Sequence, residues 1–250
     1  MGYENLVVER RGAIATIRLN RPEKHNALNT QISHELIDCL DSLEADESVQ
    51  VIVLTGSGEK AFCAGADMAE AIGDRVNGGY VGAPAQATAR LLRLRKPVIA
   101  AVNGYAYGGG AVLAINCDIR IASENARFRF VGTSYGLVVG ASQLPRIVGS
   151  PKAKELIFTT RTIDAAEALR IGLANHVVPL EQLEATALDM AQAIAENSPT
   201  AVQASKRVID IATANKDAAR QEAESNAALR ETEEHRERFR AAAERLTGGK

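Results

Sequence analysis

Tryptophan is missing from the 250 residues, and cysteine is limited to Cys39, Cys63 and Cys117. The three thiols are odd in number, far apart, and form neither a CxxC nor a Cys/His ligand spacing. A disulfide scaffold and a metal site are therefore not expected, and reduced thiols in a cytoplasmic compartment are. Aromatic residues at 4% exclude nothing about the size of a pocket. Net charge is nearly absent, 29 Lys and Arg against 31 Asp and Glu, so no global field draws the chain to nucleic acid or anionic lipid. The opening Met-Gly-Tyr-Glu-Asn-Leu has no basic or apolar leader region, and Leu6 stands where a myristoylation motif needs Ser or Thr, so no targeting segment is expected. Pro97 to Cys117 carries no charge and has about the length of a membrane span. Pro97, Asn103, Asn116 and four glycines within it argue instead for a buried strand, a glycine-rich turn and a buried helix.

What is present is the composition of a soluble globular domain, 46% hydrophobic and 24% charged. Leu6 to Glu9 and Ala13 to Leu19 read as an edge hairpin around Arg10-Arg11-Gly12. After a polar loop, Leu28, Ile32, Leu36, Leu40 and Leu43 recur at helical spacing. Val51–Leu54, Val98–Val102 and Cys117–Ala122 are apolar on both faces, as strands covered by helices on both sides are. Arg127 and Arg129 alternate with Phe128 and Phe130, which reads as a half-buried strand rather than a nucleic-acid stripe. From Asp164 the strand signal fades, and helices are expected over Ala165–Leu173, Leu180–Glu196, Thr200–Ala214 and Ala218–Leu246. The charge run Arg230–Arg238 reads as a solvated face of the last helix. No repeat of solenoid length is visible.

Two glycine-rich turns follow buried strands. One is Gly56-Ser57-Gly58, leading to Phe62-Cys63-Ala64-Gly65-Ala66-Asp67. The other is Asn103-Gly104-Tyr105-Ala106-Tyr107-Gly108-Gly109-Gly110. Glycine lets a backbone approach a ligand closely, and a helix starting just afterwards offers free N–H groups. Two such donors converging at a sheet edge would make an oxyanion hole. Either turn alone is as readily explained by close packing.

The ordered set Asn20-Arg21-Pro22, Asn26-Ala27-Leu28, Ala61 to Asp67, Lys96 to Gly104, Gly108-Gly109-Gly110, Cys117-Asp118 and Ala168 to Leu173 resembles the crotonase (enoyl-CoA hydratase/isomerase) family over almost the whole chain. The resemblance implies an α/β fold with a ββα spiral core and acyl-CoA substrates. It also implies a single domain over 1–250, with the core to about 190 and a helical C-terminal trimerisation region from about 191. Coenzyme A then enters as part of the substrate, with no separate cofactor and no metal. The chain would assemble as a homotrimer or homohexamer. The N–H groups of Ala66 and Gly109 would hold the thioester oxygen. Asp67, Met68 and Ala69 would line the acyl-CoA site with Ala27 and Ala64, and Lys24 and His25 would lie along the nucleotide.

The departures matter as much. Hydratases of this family place one glutamate two residues after the glycine triplet and a second about twenty residues later. Here those positions align with Val112 and Gly132, so both carboxylates are missing. A general acid or base contributes about 10²–10⁴ in rate, whereas one oxyanion donor is worth about 3–4 kcal/mol. The enolate-stabilising half is expected to survive without the proton-moving half. Three readings follow. Another side chain moves the proton, with Tyr135 the first candidate beside Ser134, Thr133, Tyr107, Asp67 and Glu70. Or the reaction needs no base, as in decarboxylation of a malonyl-type thioester. Or the protein binds acyl-CoA without turnover. The plainer reading of Asp67 is a helix cap or turn stabiliser, and that of Tyr135 a core or rim residue.

A serine hydrolase is the competing class. Gly132-Thr133-Ser134-Tyr135-Gly136 matches GxSxG, with Asp164 and His176 following in order. The β-branched Leu137-Val138-Val139-Gly140 is a poor start for the helix that motif requires. His34-Glu35-Leu36-Ile37-Asp38 departs from HExxH at its second ligand and reads as a helix face.

Overall fold

The computed structural model describes residues 2–70 and 82–247. Strands β1 (Leu6–Arg11) and β2 (Ile14–Leu19) form the expected antiparallel hairpin, but only β1 is an edge. β2 pairs in parallel with β3 (Val51–Gly56), and β5 (Val98–Val102), β7 (Ile119–Ser123) and β10 (His176–Val178) continue the sheet in the order β1-β2-β3-β5-β7-β10. A second sheet has the order β4-β6-β8-β9, from β4 (Ala61–Cys63), β6 (Tyr105–Tyr107), β8 (Arg127–Arg129) and β9 (Ile163–Asp164). Successive turns of chain thus give one strand to each sheet: β3 then β4, β5 then β6, β7 then β8. That is the ββα spiral, and the fold class is as expected. Phe128 is buried between half-buried arginines, so the alternation is a strand.

Both faces of the larger sheet are covered. Ile52, Leu54, Val98, Ala100 and Val102 point into the main core with α1 (Thr30–Ala45), α2 (Ala83–Leu91) and α3 (Gly109–Ile115). Val51, Val53, Ile99 and Ala101 point the other way, onto α7 (Leu180–Ala195). The period of two along each strand places alternate residues in the two cores, which is why these strands are continuously apolar. On α1, Ile32, Leu36, Leu40 and Leu43 are buried, each worth about 1.5–3 kcal/mol relative to exposure.

Four expectations need correction. Leu28 has helical spacing but lies outside α1, because the Asn29 side chain accepts Ile32 N–H at 2.9 Å and starts the helix at Thr30. Leu28 forms a parallel bridge to Ala66 instead. β7 begins at Ile119 rather than Cys117, since Asp118 turns the chain with its carboxylate on Val98 N–H at 2.7 Å. Two short strands, β9 and β10, lie in the part read as purely helical. Finally, the last helix is two helices, α9 (Lys216–Arg230) and α10 (Glu233–Thr247). Thr232 breaks them: its hydroxyl donates to Leu229 O and accepts His235 N–H. The redirected α10 buries His235 fully and Phe239 nearly so, and the charge run is therefore a solvated face on one side only. Between α7 and α9 lies α8 (Pro199–Thr213), and α4 (Leu144–Val148), α5 (Ser150–Thr159) and α6 (Ala165–Arg170) precede α7. Among the described residues no helix is long and apolar enough to cross a membrane.

Candidate active site

The site begins at a loop held in an uncommon conformation. His25 and Asn26 have φ of 51° and 55°, a left-handed region that asparagine tolerates better than most residues. Asn26 is fully buried and pays for the turn with its side chain: Oδ1 accepts Arg21 N–H, and Nδ2 donates to Ser57 O and Ala61 O. The loop is fastened to the end of β4 by Ala64 N–H donating to His25 O at 3.0 Å. Lys24 and His25 are exposed above this junction, while Ala27 is buried beneath it.

From β4 the chain passes Leu28 at bonding distance. Leu28 N–H donates to Gly65 O at 2.7 Å, and Asp67 N–H donates to Leu28 O at 2.9 Å. In such a bridge the residue between the two bonds turns its own N–H to the other side. Ala66 is that residue. Its N–H donates to no acceptor among the described residues, and Ala66 is exposed.

The second donor comes from β6 and α3. Gly109 is the first residue of α3, whose leading N–H groups have no acceptor within the helix. Gly108 N–H is used on Arg129 O at 2.9 Å, whereas Gly109 N–H, like that of Ala66, is free among the described residues. The two turns approach so closely that side chains are excluded between them. A Cβ on Gly65, whose φ is +94°, would lie 2.7 Å from Tyr107 O and 3.1 Å from Gly109 N. A Cβ on Gly110 would lie 1.9 Å from Cys63 O. Glycine at these positions lets two strand ends present their amides side by side.

Around the amides the following neighbours, all among the described residues, are apolar or already engaged. Asp67 pairs with Arg21 at 3.0 Å, both side chains nearly buried, and accepts Ala69 N–H at 3.1 Å. It is thus the cap expected of it, and Met68 and Ala69 start a helical turn. Glu70 is spent on Thr30 N–H at 2.8 Å, at the start of α1. Burial pushes the Cys63 thiol up to about 12, which removes it as a nucleophile at neutral pH. Val112 is half-buried one turn along α3 from Gly109. Val131 packs against the same turn, its Cγ2 3.0 Å from where a Gly108 Cβ would stand.

The segment after β8 places the remaining candidates. Gly132 is buried, and a Cβ there would meet Val139 Cβ at 2.8 Å and Val139 Cγ2 at 2.9 Å. Tyr135 sets its ring edge-on to Phe239, centroids 6.1 Å apart, and its carbonyl accepts from His235 Nδ1 at 2.5 Å. Thr133 donates to Ile157 O, and the Tyr107 ring lies 5.2 Å from that of Tyr105. The hydrolase triad is not assembled. Ser134 donates to Val131 O at 2.7 Å, Asp164 caps α6 through Glu167 N–H, and exposed His176 lies on β10 in the other sheet. Among the described residues no three or more His, Cys, Asp or Glu side chains gather as metal ligands.

Sequence reasoning missed Leu28 as a bridge partner, Arg21 as the counter-ion of Asp67, and Val139 as the neighbour of Gly132. Only Leu28 had a readable signal, the Asn29 cap that ends its helical register.

The chain belongs to the enoyl-CoA hydratase/isomerase family, whose model matches residues 9–247. It is similar to the short-chain-enoyl-CoA hydratase of Clostridium acetobutylicum, with 44% identity over 84% of this chain and 82% of that protein. Among solved structures it is similar to an enoyl-CoA hydratase from Bacillus anthracis, with 36% identity, a TM-score of 0.80 and 97% of both chains covered. A monofunctional enoyl CoA isomerase from M. smegmatis is also similar, with 36% identity, a TM-score of 0.70, and 82% of this chain and 91% of that one covered.

Proposed function

We propose that the protein binds acyl-CoA thioesters, places the thioester oxygen between the N–H groups of Ala66 and Gly109, and stabilises the enolate form, while being a poor ordinary hydratase. The observation that carries this reading is the pair of adjacent main-chain donors with no acceptor of their own among the described residues. An enolate oxygen is the charge such a pair suits, and each donor contributes about 3–4 kcal/mol to stabilising it. The relatives named as hydratases support the acyl-CoA class. Valine at 112 and glycine at 132, where the family resemblance places glutamates, speak against efficient addition of water.

The same apolar lining favours a second reading, loss of CO₂ from a malonyl-type thioester. The bond from Cα to the carboxylate breaks, its electron pair passes into the enolate held by the two amides, and Cα later takes a proton from solvent. A carboxylate desolvated beside Val112 is driven toward that loss. Incubation with crotonyl-, longer enoyl-, malonyl- and saturated acyl-CoAs, followed by mass spectrometry, tests both readings. Binding of thioesters with slow hydration is expected, with CO₂ release from malonyl-CoA under the second reading. Binding without turnover would reduce the protein to an acyl-CoA carrier, and rapid hydration of crotonyl-CoA would overturn the account of the missing carboxylates. Assembly as a trimer or dimer of trimers is part of the proposal, supported by Val208, Ile209 and Ile211 standing 65%, 61% and 71% exposed on α8.

A further inference from the structure

Beyond the core of the site, α9 grips the chain that follows Gly132. Glu222 and Asn226 are four residues apart and share one helix face. The two oxygens of Glu222 accept Gly140 N–H at 2.6 Å and Ser142 N–H at 2.7 Å. Asn226 pairs with Val138 in both directions, Oδ1 accepting its N–H at 2.9 Å and Nδ2 donating to its carbonyl. The backbone is thereby fixed on both sides of Val139. A further bond, Leu137 N–H to Gly132 O at 2.9 Å, folds this segment back on the start of the turn. The Val139 side chain then occupies the space that any side chain at 132 would need, and Gly132 is continuous through Val131 with Gly108 and the candidate donor at Gly109.

We propose that Val139, held by Glu222 and Asn226, is the residue that limits the acyl group accepted beside the two amides, with the α9 pair acting as positioning residues. The proposal rests on the acyl-CoA reading above. A carboxylate accepting two main-chain N–H groups makes two charge-assisted bonds, so the segment has little freedom to move aside. An apolar plug set by such a clamp selects by size: acyl carbons that fit gain affinity, and those that would reach Val139 gain none. The C-terminal helices would then shape the site of their own chain as well as serve any assembly.

The test is calorimetric binding of free CoA and of acetyl-, butyryl-, hexanoyl- and octanoyl-CoA to the full chain and to Val139→Ala, Glu222→Gln and the double variant. In the parent protein, affinity should rise with chain length and then level off, each accommodated methylene giving about fourfold. Val139→Ala should extend that rise by about two methylenes, the volume removed. Glu222→Gln loses one acceptor and should extend it in the same direction, the double variant adding little because both act on one side chain. Free CoA should bind all four proteins alike. Equal weakening of free CoA and every acyl-CoA by Glu222→Gln, or a length profile unmoved by Val139→Ala, would overturn the proposal and leave the clamp a fastening for the helices. A parent protein that binds no acyl-CoA would sink the functional reading and this one with it, whereas a parent that binds with an unmoved profile sinks this one alone.

Discussion

Arg21 Nη1 and Asp67 Oδ2 meet at 3.0 Å with both side chains nearly buried, joining the loop before α1 to the residue that follows Ala66. The same Arg21 nitrogen donates to Ala27 O at 2.8 Å. One ion pair therefore holds two borders of the candidate site together. Arg21→Met leaves the Asp67 carboxylate buried without its partner and should cost about 3–5 kcal/mol. Asp67→Asn keeps the capping oxygen and should cost less. Urea denaturation of both variants checks the order; equal losses would mean the pair holds nothing that the cap does not.

Gly109 and Gly110 are adjacent yet should respond in opposite ways to alanine. A Cβ on Gly110 falls 1.9 Å from Cys63 O, a backbone atom that cannot move without displacing β4, so Gly110→Ala should fail to fold or melt far lower. A Cβ on Gly109 meets its neighbours at 3.6–3.7 Å, ordinary contact, and one of them is Ala66 N. Gly109→Ala should keep its melting temperature and lose thioester turnover or affinity, because a methyl crowds the space between the two amides. Thermal melts beside acyl-CoA binding separate the two outcomes.

The effect of introducing carboxylates at 112 and 132 should depend on position. Val112→Glu stands on a half-buried helix face and should raise hydration of crotonyl-CoA, with about 10²–10⁴ as the ceiling for one acid or base. Gly132→Glu alone should be destabilised by about 1–3 kcal/mol through overpacking against Val139, and should give no gain. Paired with Val139→Gly, it should recover stability and contribute. Steady-state hydration rates across the four proteins are the check.

Burial pushes the thiols of Cys39, Cys63 and Cys117 up to about 12 from an ordinary 9.0. A raised thiol favours the neutral form in the native state. Its contribution to stability is whole below pH 9 and is lost as the pH climbs toward 12, because the unfolded chain releases protons that the native chain keeps. Urea midpoints should therefore fall between pH 9 and 11. Cys63→Ala should make that decline shallower, and an unchanged slope would mean the Cys63 proton is not retained on folding.

The two glycine turns were legible because each follows a strand apolar on both faces, and a local pattern of that kind needs no knowledge of distant partners. The pairing of Arg21 with Asp67 was not legible, since nothing local tells a surface charge from one that closes a loop 46 positions away. Val139 was hidden for a related reason: seven residues from Gly132, it returns through a turn whose direction is set by Glu222 and Asn226, some eighty residues on. The break at Thr232 escaped notice because its neighbours are all good helix formers, and the burial of His235 that rewards the break is a tertiary gain. Leu28 shows the converse, a residue in helical register claimed by a bridge because its neighbour Asn29 caps the helix first.

The amide resonances of Ala66 and Gly109 probe the proposed chemistry without any assumption about the reaction. In protein carrying ¹⁵N-alanine and ¹⁵N-glycine, titration with butyryl-CoA should move both amide protons downfield as they bond the thioester oxygen, and free CoA should leave them in place. Butyryl-CoA that binds while neither resonance responds would contradict the account.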